Sequence, residues 1–212
     1  MKKGMTLIEV LFATAIFSFV SITLFALFKL GQVYWGRGMS YNMIQNDMKK
    51  TSTLLEKYLK QSDIKYVYLS SNAIYQRDSI VFPVLREDGM FEYIGFFSTT
   101  DQVPPDNTGF LYFITFRPAQ NFAGSPSFTP TPITRSNISN LSLTISSSTS
   151  RTTISQKNII LLSDNISVFD VEKRDNDNLV IIRMSFLKRT IGEGTNQVVG
   201  ASLFVTPMNN FQ

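Results

Sequence analysis

Met1-Lys2-Lys3-Gly4-Met5-Thr6-Leu7-Ile8-Glu9-Val10 opens the chain, and VLFATAIFSFVSITLFALFKL runs on from Val10 to Leu30. Wound as a helix, that second stretch spans about 30 Å, the thickness of a bilayer's hydrocarbon core. Its single charge is Lys29, near the far end, where a long side chain snorkels to the interface. Lys2 and Lys3 precede it, so the positive-inside rule holds the N-terminus in the cytoplasm and sends the rest outward.

Three explanations compete for this segment. A cleaved secretory signal has a shorter apolar region followed by a small-x-small cleavage site, and Gly31-Gln32-Val33 is a poor one. A plain signal anchor accounts for the length and the lysines but leaves Glu9 without a reason. An acidic residue in a membrane helix costs about 2.5–3.5 kcal/mol on insertion scales, so it has a partner or a task.

The third explanation accounts for every piece. Met1 to Ile16 resembles the type III signal of type IV prepilins: a basic leader, a Gly, the new N-terminal residue, then Thr-Leu-Ile-Glu and an apolar helix. That resemblance implies that a membrane-embedded prepilin peptidase cuts between Gly4 and Met5 and methylates the Met5 amine. Glu9 then becomes the fifth mature residue. The family usually carries Phe where this chain has Met5. When such helices pack side by side, the Glu9 carboxylate of one meets the Met5 ammonium of its neighbour, which neutralises two charges in a low dielectric. Thr14, Ser18 and Ser21 lie at i, i+4, i+7. They read either as a small polar face for close helix packing or as hydroxyls bonded back to their own helix.

Beyond the apolar run, Tyr41, Ile44, Met48, Thr51, Leu55 and Tyr58 recur at helical spacing with polar residues between them. One helix is expected from Met5 to Gln61, with a bend or looser turn where Gly31, Gly36 and Gly38 cluster. After Gln61 the texture turns to β. Strands are expected at Ile64–Leu69, Ser79–Leu85, Phe91–Phe97 and Phe110–Phe116, and a long loop over Pro118–Ser136. Leu141–Ile145 and Thr152–Ile154 read as a hairpin. Ile166–Glu172, Leu179–Lys188 and Val198–Val205 read as an antiparallel meander with turns at Asp175–Asn178 and Gly192–Gly194.

The expected fold class is therefore α+β and pilin-like: one long N-terminal helix, half membrane-spanning and half amphipathic, packed on an antiparallel β-sheet. The chain divides into a leader (1–4), the long helix (5–61) and a globular sheet domain (62–212). Asn158–Phe169, the strand Leu179–Phe186 and the ending Leu203–Asn209 resemble J-type minor pseudopilins and W-type minor pilins.

Composition excludes more than it assigns. The 212 residues are 43 % hydrophobic and 13 % aromatic, enough for a real core. There is no Cys and no His, which removes disulfides, Ser-His-Asp triads, Cys-His pairs and the usual zinc sites. No catalytic residue, metal site or cofactor is expected. Asp175-Asn176-Asp177-Asn178 could ligate calcium but lacks the Gly and distal Glu of an EF-hand loop, and turn chemistry explains it. Arg117, Arg135, Arg151 and Lys157 fall in a stretch without acidic residues. On one face they would offer DNA a contact; otherwise they are solvated surface.

The leading functional expectation is a structural minor pilin or pseudopilin that helps start or cap a type IV pilus or a type II secretion pseudopilus. Its partners would be other minor pilins, the major pilin, the prepilin peptidase, the inner-membrane assembly platform and membrane lipid. It would sit in the bacterial inner membrane with its globular domain outside. The alternative is a pilin-like module that binds DNA during competence or adheres to a surface.

Overall fold

The computed structural model describes residues 6–71, 76–102, 107–118, 124–129, 132–147, 150–189 and 196–209. Helix α1 runs from Leu7 to Leu59 as 53 residues, about 80 Å at 1.5 Å per residue. It passes through Gly31, Gly36 and Gly38 without a break, so the interruption expected there is absent. Leucine, alanine and lysine outweigh these scattered glycines, and the last turn closes by Lys60 N–H donating to Glu56 O at 3.2 Å.

The strands are β1 (Tyr68–Ser70), β2 (Ser79–Leu85), β3 (Phe91–Ser98), β4 (Gly109–Phe116), β5 (Ser125–Thr129), β6 (Ser142–Ser146), β7 (Arg151–Ile154), β8 (Lys157–Arg174), β9 (Leu179–Arg189) and β10 (Asn196–Val205). Seven form one curled antiparallel sheet in the order β1-β2-β3-β4-β8-β9-β10. β5, β6 and β7 form a second, three-stranded sheet. This is the α+β pilin-like architecture, a long helix laid on an antiparallel sheet.

Alternation along the central strands sorts the core into two layers. Ile80, Phe82, Ile94, Phe96, Leu111 and Phe113 point toward α1, together with Ile166, Phe169, Val180, Ile182 and Phe186. Val81, Tyr93, Phe97, Tyr112, Ile114 and Phe116 point the other way, onto Phe128, Leu141, Leu143 and Ile145 of the small sheet and its approach. β2, β3 and β4 are buried on both faces, which is why they read as unbroken apolar runs. Pro83 fits inside β2 because β1 pairs only with Ser79–Val81, so β2 is an edge strand at the proline. Gly95 leaves room for Phe97: a Cβ there would lie 2.2 Å from the Phe97 ring. That ring meets Phe128 edge-on at 5.0 Å. Tyr93 ties the layers, its hydroxyl accepting from Gly124 N–H at 2.9 Å, and burial pushes its phenol pKa up.

Three expectations are corrected. Ile64–Leu69 is not a strand: Ile64–Tyr66 is a 3-10 turn, and only Tyr68–Ser70 pairs. The Asp63 carboxylate accepts Lys65 N–H at 2.9 Å, a local bond that outcompetes β propensity. The Pro118–Ser136 loop contains β5, whose Pro126 and Phe128 alternate inward and pair with β6. β8 begins at Lys157, well before Ile166. Its first half pairs with β4, an irregularity at Ile166–Val168 turns it, and its second half pairs with β9. The polar run Ser163-Asp164-Asn165 is held inside the strand, with Asn165 N–H donating to Ser163 Oγ. The β6–β7 hairpin and the β8–β9–β10 meander form as expected. The Gly192–Gly194 turn lies outside the described residues.

Where β8 leaves β4, the buried guanidinium of Arg77 fills the gap. It donates to the carbonyls of Asp101 (2.6 Å), Thr99 (3.4 Å), Ser167 (3.5 Å) and Asn107. Gly109 makes space for it, since a Cβ there would stand 2.7 Å from Arg77 Nη1.

Candidate functional site: the N-terminal helix and its seat on the sheet

Thr6 is the N-cap of α1 and Glu9 its third helical residue. The Glu9 carboxylate accepts the Thr6 backbone N–H at 2.9 Å, so within a single chain it satisfies an orphan donor of the helix start. Gly4 and Met5, the expected cleavage and methylation positions, lie outside the described residues. Glu9 itself is exposed and available to a neighbouring molecule.

From Leu7 to Leu30 every residue of α1 is exposed, including Leu11, Phe12, Ile16, Phe17, Phe19, Phe25 and Phe28. A helix apolar all round and covered by none of the described residues is built for lipid or for other helices. It is long and apolar enough to cross a membrane, and none of its most apolar window is buried. Thr14 Oγ1 donates to Leu11 O at 3.0 Å and Ser18 Oγ to Thr14 O at 2.7 Å, the back-bonded arrangement that spares a hydroxyl an unpaired fate in lipid. Tyr34 and Trp35 follow, 65 % and 78 % exposed, where an aromatic belt meets the interface. The Arg37 guanidinium lies 5.7 Å from the Tyr34 ring centre.

From Ser40 onward one stripe of the same helix disappears into the protein. Ile44, Thr51, Leu55 and Leu59 are fully buried, with Met48, Leu54 and Tyr58 packed beside them. Tyr41, expected on this stripe, is exposed, because it lies about 100° round the helix from Ser40, which with Ile44 faces the sheet. The Tyr58 ring stacks on Phe113 at 5.5 Å. Asp47 accepts a hydrogen bond from Ser163 Oγ at 2.7 Å. The tail after β10 closes over the helix end: Met208 N–H donates to Lys60 O at 3.2 Å, Asn209 N–H to Ser62 O at 3.3 Å and Asn209 Nδ2 to Gln61 O at 2.6 Å. The sequence reading missed Asp47 and this clasp. Asp47 had a signal, an acidic residue set inside the apolar stripe three residues after Ile44.

Of the expected basic residues, Arg117 and Lys157 come together, lining one pocket with Thr115, Gln156 and Asn158, while Arg135 stands apart from them. Arg135 lies over the Phe110 ring at 4.7 Å, at the start of β4. Arg117 follows the other end of that strand, roughly 20 Å away by strand rise, paired with Glu92 at 2.9 Å. Lys157 donates to Leu141 O, and burial lowers its pKa. At the Asp175–Asn178 turn, Asp175 pairs with Lys173 at 2.9 Å and Asn178 takes a φ of 49°, the left-handed conformation that turn chemistry supplies. Among the described residues no three acidic side chains converge.

A family model described as the prokaryotic N-terminal methylation motif matches residues 1–25. No curated protein and no solved structure matches the chain. The motif at residues 1–25, together with the long helix on an antiparallel sheet, supports a type IV pilin- or pseudopilin-like protein, and the apolar first half of that helix is long enough to cross a membrane.

Proposed function

We propose that the protein is a minor pilin or pseudopilin that helps initiate or cap a type IV pilus or a type II secretion pseudopilus. The single observation behind this reading is the division of α1. Its first half carries the methylation motif and is bare; its second half is built into the globular core. A subunit so divided offers its first half to lipid before assembly and to other subunits' helices after it. In this reading the leader 1–4 is removed between Gly4 and Met5, and Glu9 pairs with a neighbour's terminal ammonium. The rest divides into the helix 5–61 and the sheet domain 62–212, with the N-terminus on the cytoplasmic side of the inner membrane and the sheet outside. Partners are the major pilin, other minor pilins, the prepilin peptidase and the assembly platform. The pattern Asn158–Phe169 with the ending Leu203–Asn209 favours a J-type pseudopilin or W-type pilin within this class.

The test is the intact mass of the protein from cells with an active prepilin peptidase. The expected species begins at a methylated Met5, and Gly4→Glu keeps the leader. A mature chain that still begins at Met1, or one cut after Leu30, overturns the reading.

A further inference from the structure

β10 runs beside α1, and its last residues are pinned to the end of the helix. Met208 and Asn209 donate to Lys60 O and Ser62 O, while Val199 and Leu203 pack against the cluster that holds Ile44 and Leu59. The ten residues of β10 cover about 30 Å of strand, the rise of about 20 helical residues. Asn196 therefore lies near the level of Ser40, where the buried stripe begins, on the side of the domain toward the bare half of α1. Strand β9 gives the same placement. Its Phe186 pairs with Ile166, close to Ser163, which bonds to Asp47, and Lys188 and Arg189 continue past that level.

Asn196 pairs with Arg189 and Gln197 with Lys188, so the β9–β10 hairpin brings two basic residues to the end that faces the membrane span. With Val10–Leu30 in hydrocarbon, Ser40 stands about 15 Å above its edge and Arg37 about 10 Å. Headgroups fill about 5–8 Å of that height, and a helix tilt of about 20° lowers one side of the domain further. What remains is within reach of a lysine or arginine stem. Lys29 approaches the same layer from below, and Tyr34 and Trp35 stand exposed within it. Asp47 and Asp164 lie farther from the membrane, at the level of Ser163, and residues 190–195 add Glu193. The other end of the hairpin mixes its signs: Lys173 pairs with Asp175, and Lys60 with Glu56 nearby.

We propose that Lys188 and Arg189, with Arg37 and Lys29 on α1, dock on anionic phospholipid headgroups and set the tilt at which the domain stands on the membrane. Phosphate takes charge-assisted hydrogen bonds from both kinds of basic side chain. The contact belongs to the subunit while α1 is still in lipid, and it rests on the membrane-rooted reading of that helix.

The experiment uses the full chain in bilayer nanodiscs of phosphatidylcholine, or of phosphatidylcholine and phosphatidylglycerol in equal parts, with a trace of headgroup-spin-labelled lipid. The expected result is broadening of the Lys188, Arg189, Asn196 and Gln197 amides in the phosphatidylglycerol discs alone. It should vanish at about 1 M salt, where the Debye length is about 3 Å. Lys188→Gln and Arg189→Gln should each lower the docked-to-undocked ratio about fivefold, with the melting temperature unchanged. Equal broadening in the two lipids, broadening at Asp175–Asn178 instead, or a double variant that behaves as wild type overturns the docking. A label at the acyl-chain terminus reports insertion separately through the amides around Val20. Its failure to broaden them overturns the membrane-rooted reading and the docking with it, whereas insertion without the headgroup effect overturns the docking alone.

Discussion

The hydroxyl of Ser163 donates to the carboxylate of Asp47 at 2.7 Å, joining residues 116 apart in sequence. One lies on the buried side of α1 and the other near the irregular middle of β8, so the bond fixes the helix against the longest strand. A hydrogen bond to a charged group contributes about 1.5–3 kcal/mol when its loss leaves the charge short of a partner. Ser163→Ala and Asp47→Ala should each destabilise by about that amount. Because they break the same contact, the double variant should lose less than the sum. Denaturant titrations of the four proteins measure this; strict additivity would mean that the two side chains are not coupled.

Thr51 is fully buried on the helix stripe, and its hydroxyl finds no hydrogen-bond partner among the described residues. Burying an unbonded hydroxyl is unfavourable. Thr51→Val keeps the shape and removes the polar atom, so stability should rise by about 0.5–2 kcal/mol. A lower melting temperature for the variant would show that the hydroxyl is satisfied in solution.

Leu55 is fully buried between α1 and the sheet. Leu55→Ala should cost about 2–5 kcal/mol, and Leu55→Asp should prevent folding, because it leaves an unpaired charge in the core. The same packing predicts that residues 37–212 fold without the bare half of the helix, whereas residues 64–212 aggregate with one face of their sheet uncovered. Circular dichroism melts decide: equal, cooperative melting of both fragments would mean that the helix does not support the sheet.

Removing residues 206–212 strips three hydrogen bonds from the end of α1. The expected loss is about 1–3 kcal/mol, with faster amide exchange at residues 57–62 before any other part of the helix. Asn209→Ala should show a smaller version of the same pattern. Uniform acceleration across the whole protein would instead place the tail in the global core.

Glu9→Val removes a costly charge from the membrane helix, so insertion should be unchanged or improved. On the proposed pairing, incorporation into filaments should fall, because a neighbour's terminal ammonium would lose its carboxylate. Sheared filaments that contain as much variant as wild type would remove the pairing role. Failure of the variant to insert would equally contradict it, pointing to the Thr6 N–H contact as the purpose of Glu9.

The strands Ser79–Leu85, Phe91–Ser98 and Gly109–Phe116 were legible to within a residue, because each is an apolar run closed by turn formers. β5 was not, because Pro, Ser and Thr dominate it and its pairing with β6 exists only in three dimensions. Ile64–Tyr66 failed for the opposite reason: β-branched and aromatic residues suggested a strand, and one carboxylate next to them chose a 3-10 turn.

At the candidate site the motif, the apolar span and the buried stripe came from local order in the chain. A bilayer's thickness, a helix's 3.6-residue period and the cost of a lone carboxylate in lipid act on contiguous residues. They decide the membrane half of this protein without any reference to the sheet. Where the helix meets its cover was decided by the tertiary structure, which buries Ile44 and leaves Tyr41 exposed. So were the Arg77 plug, the Asp47–Ser163 bond and the tail clasp. Each joins groups far apart in the chain, and no period or propensity encodes which carbonyl a buried guanidinium will find or which helix residue a strand's hydroxyl will meet.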